Sequence, residues 1–222
     1  MLLAIETSGI LGSVAIADDQ RLIVERTLQT TGRRHAQTVV AEVDDILRTC
    51  GFAVSDITAV AVSIGPGSFT GLRVGLVFAK TFAWLNQTKL VAVDTLRAIA
   101  QQVPQEIETV TAVVDAQRNE LFAATYRWNA ECRIRDAINS VHLSTIARLS
   151  ADHPVVGPGL QKHREVLDTS HTMLEESLWQ PRASSVAVIG LHMVRLGQTS
   201  VPETLEPVYV RLSYAEEKRP VP

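Results

Sequence analysis

Two spacings of apolar positions divide the first half of the chain into strands and helices. Short apolar runs at residues 2–5, 13–17 and 22–24, separated by turn residues, predict three consecutive strands. From residue 34 to residue 50 the apolar positions recur at helical spacing, and Gly51 is placed to end that helix. The remaining predicted elements are a buried strand at 59–64, a loop at 65–70, a helix at 71–86, a strand at 90–93 and a helix capped by Asp94 or Thr95.

The second half repeats the order βββαβαβα less clearly. Two such units predict an α/β protein with the duplicated ribonuclease-H-like fold of the actin, hexokinase and Hsp70 group (ASKHA), and a single doubly wound domain is the alternative. The predicted domains are an N-terminal lobe at 1–104, a smaller C-terminal lobe at 105–201 and a proline-containing tail at 202–222. The predicted second-half elements are strands near 109–114, 121–127 and 133–141, a short helix after Ser144, a strand at 155–156, a turn at 157–159, a helix at 160–167, a weak strand at 171–174 and a helix at 184–196.

Composition excludes several classes of protein. The chain has 222 residues, of which 46% are apolar, enough for one large domain or two small lobes. No apolar window reaches the length of a membrane span, and no basic stretch precedes the first apolar run, so we expect a cytoplasmic protein without a signal peptide. Cys50 and Cys132 have no metal-like spacing, and no disulfide is expected. The net charge of −3 indicates that contact with nucleic acid depends on a partner.

Five segments carry a resemblance that spans nearly the whole chain. The longest, at residues 63–76, reads SIGPGSFTGLRVGL. The others are LAIETS at 3–8 together with SVA at 13–15, VDAQRNEL at 114–121, GPG at 157–159 and PVYVR at 207–211. In this order they resemble the TsaB (YeaZ) family of bacterial proteins.

The resemblance implies a role in tRNA modification. It implies a non-catalytic scaffold that activates the catalytic TsaD subunit, in the machinery that adds threonylcarbamoyl to the adenosine beside the anticodon. A TsaE-like ATPase is the further implied partner, tRNA would bind only through the complex, and the chain alone could form a homodimer. No intrinsic cofactor is implied, and any nucleotide would bind only at the complex interface.

Two turns are candidate remnants of a nucleotide site. Nucleotide-binding relatives of this fold bring glycine-containing turns to the phosphates, but the turn after Asp115 lacks glycine, so side chains would crowd a phosphate. Family openings usually carry Asp where this chain has Glu6, whose carboxylate lies about one methylene further out. We interpret Glu6, Thr7, Ser8 and Asp115 as remnants of a degraded site, and the alternative that Glu6 and Asp115 only cap or orient turns is favoured.

The signature loop allows two interpretations. It follows a strand and opens a helix, an arrangement that can bind anions. A P-loop needs Lys after its last glycine, whereas Gly71 is followed by Leu72 and Arg73. We therefore favour a tight strand-to-helix connection with Ser68 or Thr70 as helix cap. The signature residues are Gly65, Pro66, Gly67, Ser68, Phe69, Thr70, Gly71 and Arg73.

The helix after this loop is apolar around most of its circumference, so it should be buried on more than one side. Gly71, Gly75, Ala79 and Ala83 recur every four residues and form a smooth ridge. The helix at 34–50 could be its only neighbour. However, TsaB-like proteins pair these two helices with the equivalent pair of TsaD or of a second copy. The interface predicted from this resemblance is Val39, Val43, Ile46, Leu72, Gly75, Leu76 and Ala79.

Independent catalysis has little support in the sequence. TsaD-like relatives carry an HxxxH metal pair, but His35 is followed four residues later by Val39, and the other histidines have no metal-like spacing. No GxSxG is present, so we predict neither a metal site nor catalytic residues. The main alternative is a small-molecule kinase or ATPase of the same fold that uses Glu6 and Asp115. A peptidase is the third hypothesis.

Overall fold

The computed structural model describes residues 1–28, 35–130, 134–167 and 170–208. It contains two five-stranded sheets, with strand orders β3-β2-β1-β4-β5 and β10-β6-β7-β8, and β9 also pairs with β7. The strands are β1 Leu2–Glu6, β2 Ser13–Ala17, β3 Leu22–Thr27, β4 Ala59–Ser63, β5 Lys89–Val93, β6 Thr109–Asp115, β7 Leu121–Asn129, β8 Ile134–Ala137, β9 His142–Ser144 and β10 Val155–Val156. The α-helices are α1 His35–Cys50, α2 Phe69–Asn86, α3 Thr95–Gln101, α4 Arg164–Leu167 and α5 Ala183–Arg195.

The first sheet has the predicted order of elements. Strand β1 pairs antiparallel with β2 and parallel with β4, and β4 pairs parallel with β5. Successive side chains of a strand point to opposite faces. Leu3 and Ile5 therefore pack with α1 and α2 on one face, whereas Leu2 and Ala4 pack with α3 and α5 on the other. Helices on both faces explain why these strands are apolar throughout.

The second sheet repeats this arrangement around β6. Strand β6 pairs antiparallel with β7 and parallel with β10, as β1 does with β2 and β4. In both sheets a glycine-containing loop after the parallel strand approaches the end of the central strand: Gly67 lies against Ser8, and Gly159 lies against Val114 and Asp115. This repeated topology confirms the duplicated α/β fold.

Several predicted elements of the second half are shorter than expected. The strand predicted at 133–141 is only β8, Ile134–Ala137, and beyond it the N–H of Thr125 in β7 donates to the Asn139 side chain in place of a backbone carbonyl. The predicted helix after Ser144 is one 3-10 turn, Ile146–Arg148. The helix predicted at 160–167 is a 3-10 turn, Pro158–Leu160, followed by the four-residue α4. The weak strand at 171–174 reduces to one bridge between Met173 and Val155.

The last helix returns to the first sheet. Helix α5 follows the second sheet in the chain, yet its buried side chains Ala183, Val186 and Ile189 share a core with the first sheet. Gly190 allows this approach, since an added Cβ would lie 2.6 Å from the Cβ of Ala61. The structure thus places α5 with the first sheet, and the predicted boundary between residues 104 and 105 stays a prediction.

The described part of the tail lies along the first sheet and α2. The N–H of Ser200 donates to the Leu90 carbonyl at 2.7 Å, and that of Val208 donates to the Ile64 carbonyl at 2.8 Å. Between them Lys80 of α2 donates to the Leu205 carbonyl at 3.0 Å. Residues 209–222, and with them most of the PVYVR segment, lie outside the described residues.

A buried arginine fixes the connection between the two sheets. Arg135 of β8 is fully buried, and its guanidinium donates to the carbonyls of Val103, Pro104, Ile107 and Glu108. Burial lowers the pKa of Arg135 to about 10. The five N–H donors of a guanidinium suit a cluster of carbonyl acceptors. This one side chain therefore holds the chain between α3 and β6.

Candidate functional site: the first turn and the helix pair

Glu6 ends β1 inside the protein and holds the turn that follows. Its Oε1 accepts hydrogen bonds from the backbone N–H and the hydroxyl of Ser8, both at 2.5 Å. Its Oε2 is buried beside the hydroxyl of Ser63, at the end of neighbouring β4, and neither atom makes a hydrogen bond of regular geometry in the described structure. Burial raises the pKa of Glu6, against the opposing effects of the Ser8 and Ser63 hydroxyls. An unpaired buried carboxylate oxygen is costly, and the site therefore favours the neutral acid.

Close contact with Thr7 explains why positions 71 and 75 of the signature segment are glycines. Its hydroxyl donates to the carbonyl of Gly71 at 2.8 Å. A Cβ on Gly71 would collide with the Thr7 carbonyl oxygen, and one on Gly75 would collide with the Thr7 hydroxyl. The ridge of small residues predicted on α2 therefore packs, at Gly71 and Gly75, against the turn that follows β1 in the same chain.

The signature loop is a helix start packed on that same turn. Ser68 caps α2 by accepting the N–H of Gly71 at 3.2 Å, which confirms one of the two predicted caps. The N–H of Ser68 donates to the Ser8 carbonyl at 2.8 Å. Both N–H groups are thus used within the protein, whereas a phosphate cradle would present them to a ligand. The guanidinium of exposed Arg73 lies 3.8 Å from the ring centroid of Phe69.

Asp115 occupies the corresponding turn of the second sheet. Its Oδ1 accepts the N–H of Gln117 at 2.9 Å, and its Oδ2 forms an ion pair with Lys162. Gln117, Arg118 and Asn119 adopt left-handed backbone conformations, with φ of 65°, 54° and 63°. Glu6 and Asp115 therefore both accept the N–H two residues ahead, the geometry of a turn-organising side chain.

The residues predicted for a partner interface are not on the surface. They lie on the sides of helices α1 and α2 that pack against each other and against the first sheet. Six of their side chains are at most 5% exposed, and Gly75 is buried. The prediction of these residues as a surface is therefore corrected. They are Val39, Val43, Ile46, Leu72, Gly75, Leu76 and Ala79.

The outward sides of the two helices carry other apolar residues. Val77 is 64% exposed and Trp84 is 66% exposed on α2, and Val40 is 58% exposed on α1. Phe69 and Leu85 of α2 are also exposed. We call these five residues the outer helix face. Sequence reasoning missed most of them, because an all-round apolar helix gives no signal of which side meets the sheet.

No metal site is visible in the described part of the chain. No group of three or more His, Cys, Asp or Glu side chains there could hold an ion. The side chain of His35 and the whole of Cys132 lie outside the described residues, and Cys50 is a half-buried free thiol. Among the described helices, none combines the length and apolarity that crossing a bilayer requires.

Comparison with known proteins gives a consistent result. The family model described as tRNA N6-adenosine threonylcarbamoyltransferase (TsaD) matches residues 27–210. The tRNA threonylcarbamoyladenosine biosynthesis protein TsaB of Escherichia coli (strain K12) is 31% identical over 228 residues, covering 99% of this chain and 98% of that protein. TsaB of Bacillus subtilis (strain 168) is 27% identical over 228 residues, covering 98% and 96%.

A solved structure supports the same assignment. YeaZ from Pseudomonas aeruginosa superposes with a TM-score of 0.80 and 25% identity, covering 94% of this chain and 98% of that one. The fold, the signature loop packed on the first turn and the full-length similarity agree. The chain therefore belongs to the TsaB (YeaZ) family, within the wider family that the TsaD model describes.

Proposed function

We propose that this protein acts in tRNA threonylcarbamoyladenosine biosynthesis as a non-catalytic subunit that binds and activates a TsaD-like threonylcarbamoyltransferase. The names of its relatives support the pathway. The outer helix face is the observation that carries the proposed binding role.

The outer helix face has the composition of an interaction surface. Trp84 and Val77 present large apolar side chains to solvent on one helix, with Phe69 stacked against Arg73 at its start. Aromatic residues and arginine are enriched at protein interfaces, and exposed apolar patches commonly mark binding sites. The rigid packing of α1 and α2 on the sheet would present this face at little cost in conformational entropy.

A partner of the same fold suits this face. The chain itself matches the TsaD family model over most of its length, so a TsaD-like protein would carry an equivalent helix pair. Two related folds can pair through corresponding surfaces about a pseudo-two-fold axis, as identical subunits do about a true one. A second copy of this chain is the competing occupant of the same face.

The geometry of the first turn supports an accessory role. The carboxyl of Glu6 is sealed from solvent, and the Asp115 carboxylate is already engaged by Lys162 and Gln117. Metal–nucleotide chemistry needs open, ionised carboxylates near the phosphates. The kinase or ATPase alternative therefore gains no support, and we place the TsaE-like ATPase and tRNA as partners of the assembled complex.

Light scattering on mixtures with TsaD from the same organism tests the proposal. Wild type should form a heterodimer, and Val77→Glu should weaken it by about tenfold or more, because a carboxylate would be desolvated in an apolar contact. Leu196→Glu is the matched control, since Leu196 is 57% exposed at the end of α5, on the opposite face of the first sheet.

The outcomes separate the alternatives. Circular dichroism should show that both variants are folded, and the control should bind TsaD like wild type. If wild type forms no complex with TsaD, or pairs only with itself in its presence, the scaffold proposal fails. If both variants lose binding equally, the outer helix face is not the contact.

A further inference from the structure

Two segments of the chain join the two sheets, and both are fastened. The first, residues 102–108, runs from α3 to β6, and the guanidinium of Arg135 donates to four of its carbonyls. The second, residues 174–182, leads back to α5. Gln102 in the first segment donates its side-chain N–H to the Gln180 carbonyl in the second at 2.8 Å. Hinges between lobes are usually short segments that can change conformation, and here both candidates are held by side chains.

Helix α3 belongs to the cores of both sheets. It follows β5 of the first sheet directly, and Ala98 packs with that sheet and with α5. Leu96 and Ile99 instead pack in the core of the second sheet. Trp179, from the segment that leads to α5, is buried in that same second core. A rotation of one sheet against the other would therefore have to pull α3 out of one of two close-packed cores.

Three hydrogen bonds also cross directly between the two halves. The hydroxyl of Tyr126 in β7 donates to Oδ1 of Asp94, the N-cap of α3, at 3.1 Å. Arg97 of α3 donates through Nε to the Arg135 carbonyl at 2.7 Å and through Nη2 to Oδ1 of Asp136 at 3.1 Å. Tyr126 is only 2% exposed, and hydrogen bonds shielded from water are stronger than exposed ones. We call Asp94, Arg97, Tyr126, Arg135 and Asp136 the inter-sheet clamp.

A cleft lies at the place where the sheets would separate without these contacts. Its volume is about 470 Å³, and its lining comes from both halves. His192 of α5 lines it from the side of the first sheet, and Asn139, which follows β8, lines it from the side of the second. Four of the five clamp residues line the same cleft, so the clamp joins its two walls.

We propose that the inter-sheet clamp locks the two sheets into one rigid body whose internal geometry stays the same when a ligand or partner binds. Two-lobed proteins that close around a ligand do so by hinge motion, and closure breaks or forms contacts across the cleft. Here the contacts across the cleft are already formed in the chain alone. Surfaces on the two halves are thereby held in a fixed relation, which lowers the conformational entropy that binding would cost. This rigidity does not depend on the contact with TsaD.

Distances between spin labels on the two halves of the full chain, measured by double electron–electron resonance, test the clamp. Cys50→Ser and Cys132→Ser remove the native thiols. Labels are attached at Arg48→Cys on α1 and at Arg127→Cys on β7, where the native side chains are 70% and 62% exposed. With the clamp intact, the distances should form one narrow distribution. Its mean should change by less than about 2 Å when ATP–Mg²⁺ or TsaD is added, because proteins that rearrange on binding usually move further than that.

Variants of the clamp make the test specific. Tyr126→Phe combined with Arg97→Met removes all three crossing hydrogen bonds, so the distribution should broaden and extend to longer distances. Tyr126→Phe alone keeps the packed ring and should speed hydrogen exchange of residues 102–108 by about fivefold, the effect of one lost hydrogen bond. Thr125→Val is the matched control, because the hydrogen bond that it removes, 3.0 Å to Thr111, lies within the second sheet. The control should leave both measurements unchanged.

Several outcomes would overturn the proposal. It fails if the distribution with the clamp intact is broad or has two maxima, or if its mean shifts by more than about 2 Å with ATP–Mg²⁺ or TsaD. It also fails if the double variant, shown by circular dichroism to be folded, stays as narrow as the intact clamp. Should the double variant not fold, the exchange rates of Tyr126→Phe decide. Equal effects of Thr125→Val and the clamp variants would point to general destabilisation and would equally overturn the clamp.

Discussion

Gly67→Ala tests whether the signature loop is built for close packing on the first turn. An added Cβ would lie 2.6 Å from the Ser8 carbonyl oxygen and 2.8 Å from the Ser8 Cβ. Ser8 cannot move aside cheaply, because Glu6 holds its N–H and hydroxyl, and its carbonyl accepts the N–H of Ser68. Overpacking costs about 1–3 kcal/mol, and weakening one hydrogen bond adds about 1 kcal/mol. We expect a loss of about 3 kcal/mol in the free energy of unfolding.

Urea denaturation followed by circular dichroism measures this loss, and thermal denaturation gives a second reading. For a chain of this size a loss of about 3 kcal/mol lowers Tm by roughly 6–12 °C. Gly51→Ala is the matched control, because Gly51 has a φ of 73° but open space around the added Cβ, so it should lose only about 1 kcal/mol. If Gly67→Ala is no more destabilised than Gly51→Ala, the close-packing argument is refuted.

Substitutions at three further residues test other features. Because burial raises the pKa of Glu6, the folded state binds a proton that the unfolded state has released, so wild-type stability falls as pH rises from about 4.3 through the folded pKa. Glu6→Gln should remove this fall. In urea denaturation from pH 4 to 8, the free energy of unfolding of the variant relative to wild type should therefore rise by about 1.4 kcal/mol per pH unit up to the folded pKa. A difference that does not change with pH would contradict the reasoning. Gln87 ends α2 in a left-handed conformation, so Gln87→Gly should raise the unfolding free energy by about 1 kcal/mol, while Gln87→Ala should give no gain. Arg135→Met should cost about 3 kcal/mol or more in the same assay by leaving buried carbonyls without donors, and Arg135→Lys should restore only part, because an ammonium lacks the guanidinium fork.

The organisation of the second half shows where local pattern fails. Its strands at β6 and β7 are long and paired over their whole length, and the sequence predicts both. Its short helices and weak strand are single turns or one bridge, because segments of three or four residues hold too little periodicity to identify them. Strands β8 and β9 pair with different stretches of β7, and between them the Asn139 side chain accepts the N–H of Thr125, a contact between residues that are distant in the sequence.

In the candidate site, too, the sequence predicts local features and does not predict which groups pack together. The prediction that Ser68 caps α2 is confirmed, since capping depends on residues within one turn. The predicted interface residues prove to be core, because apolar spacing marks a face as buried without naming what buries it. The turn-organising interpretation of Glu6 and Asp115 agrees with their hydrogen bonds, while the remnant interpretation stays a prediction.

The sequence by itself determined the order of the elements in the first half, the family and the need for small residues along α2. Periodicity, capping and glycine spacing are local properties, and the resemblance is carried by long segments. Tertiary structure alone decided that Thr7 is the group against which Gly71 and Gly75 pack, that α5 returns to the first sheet, and that Val77 and Trp84 face solvent. These outcomes depend on competition between several apolar faces for the same neighbours, and only the assembled fold contains that information.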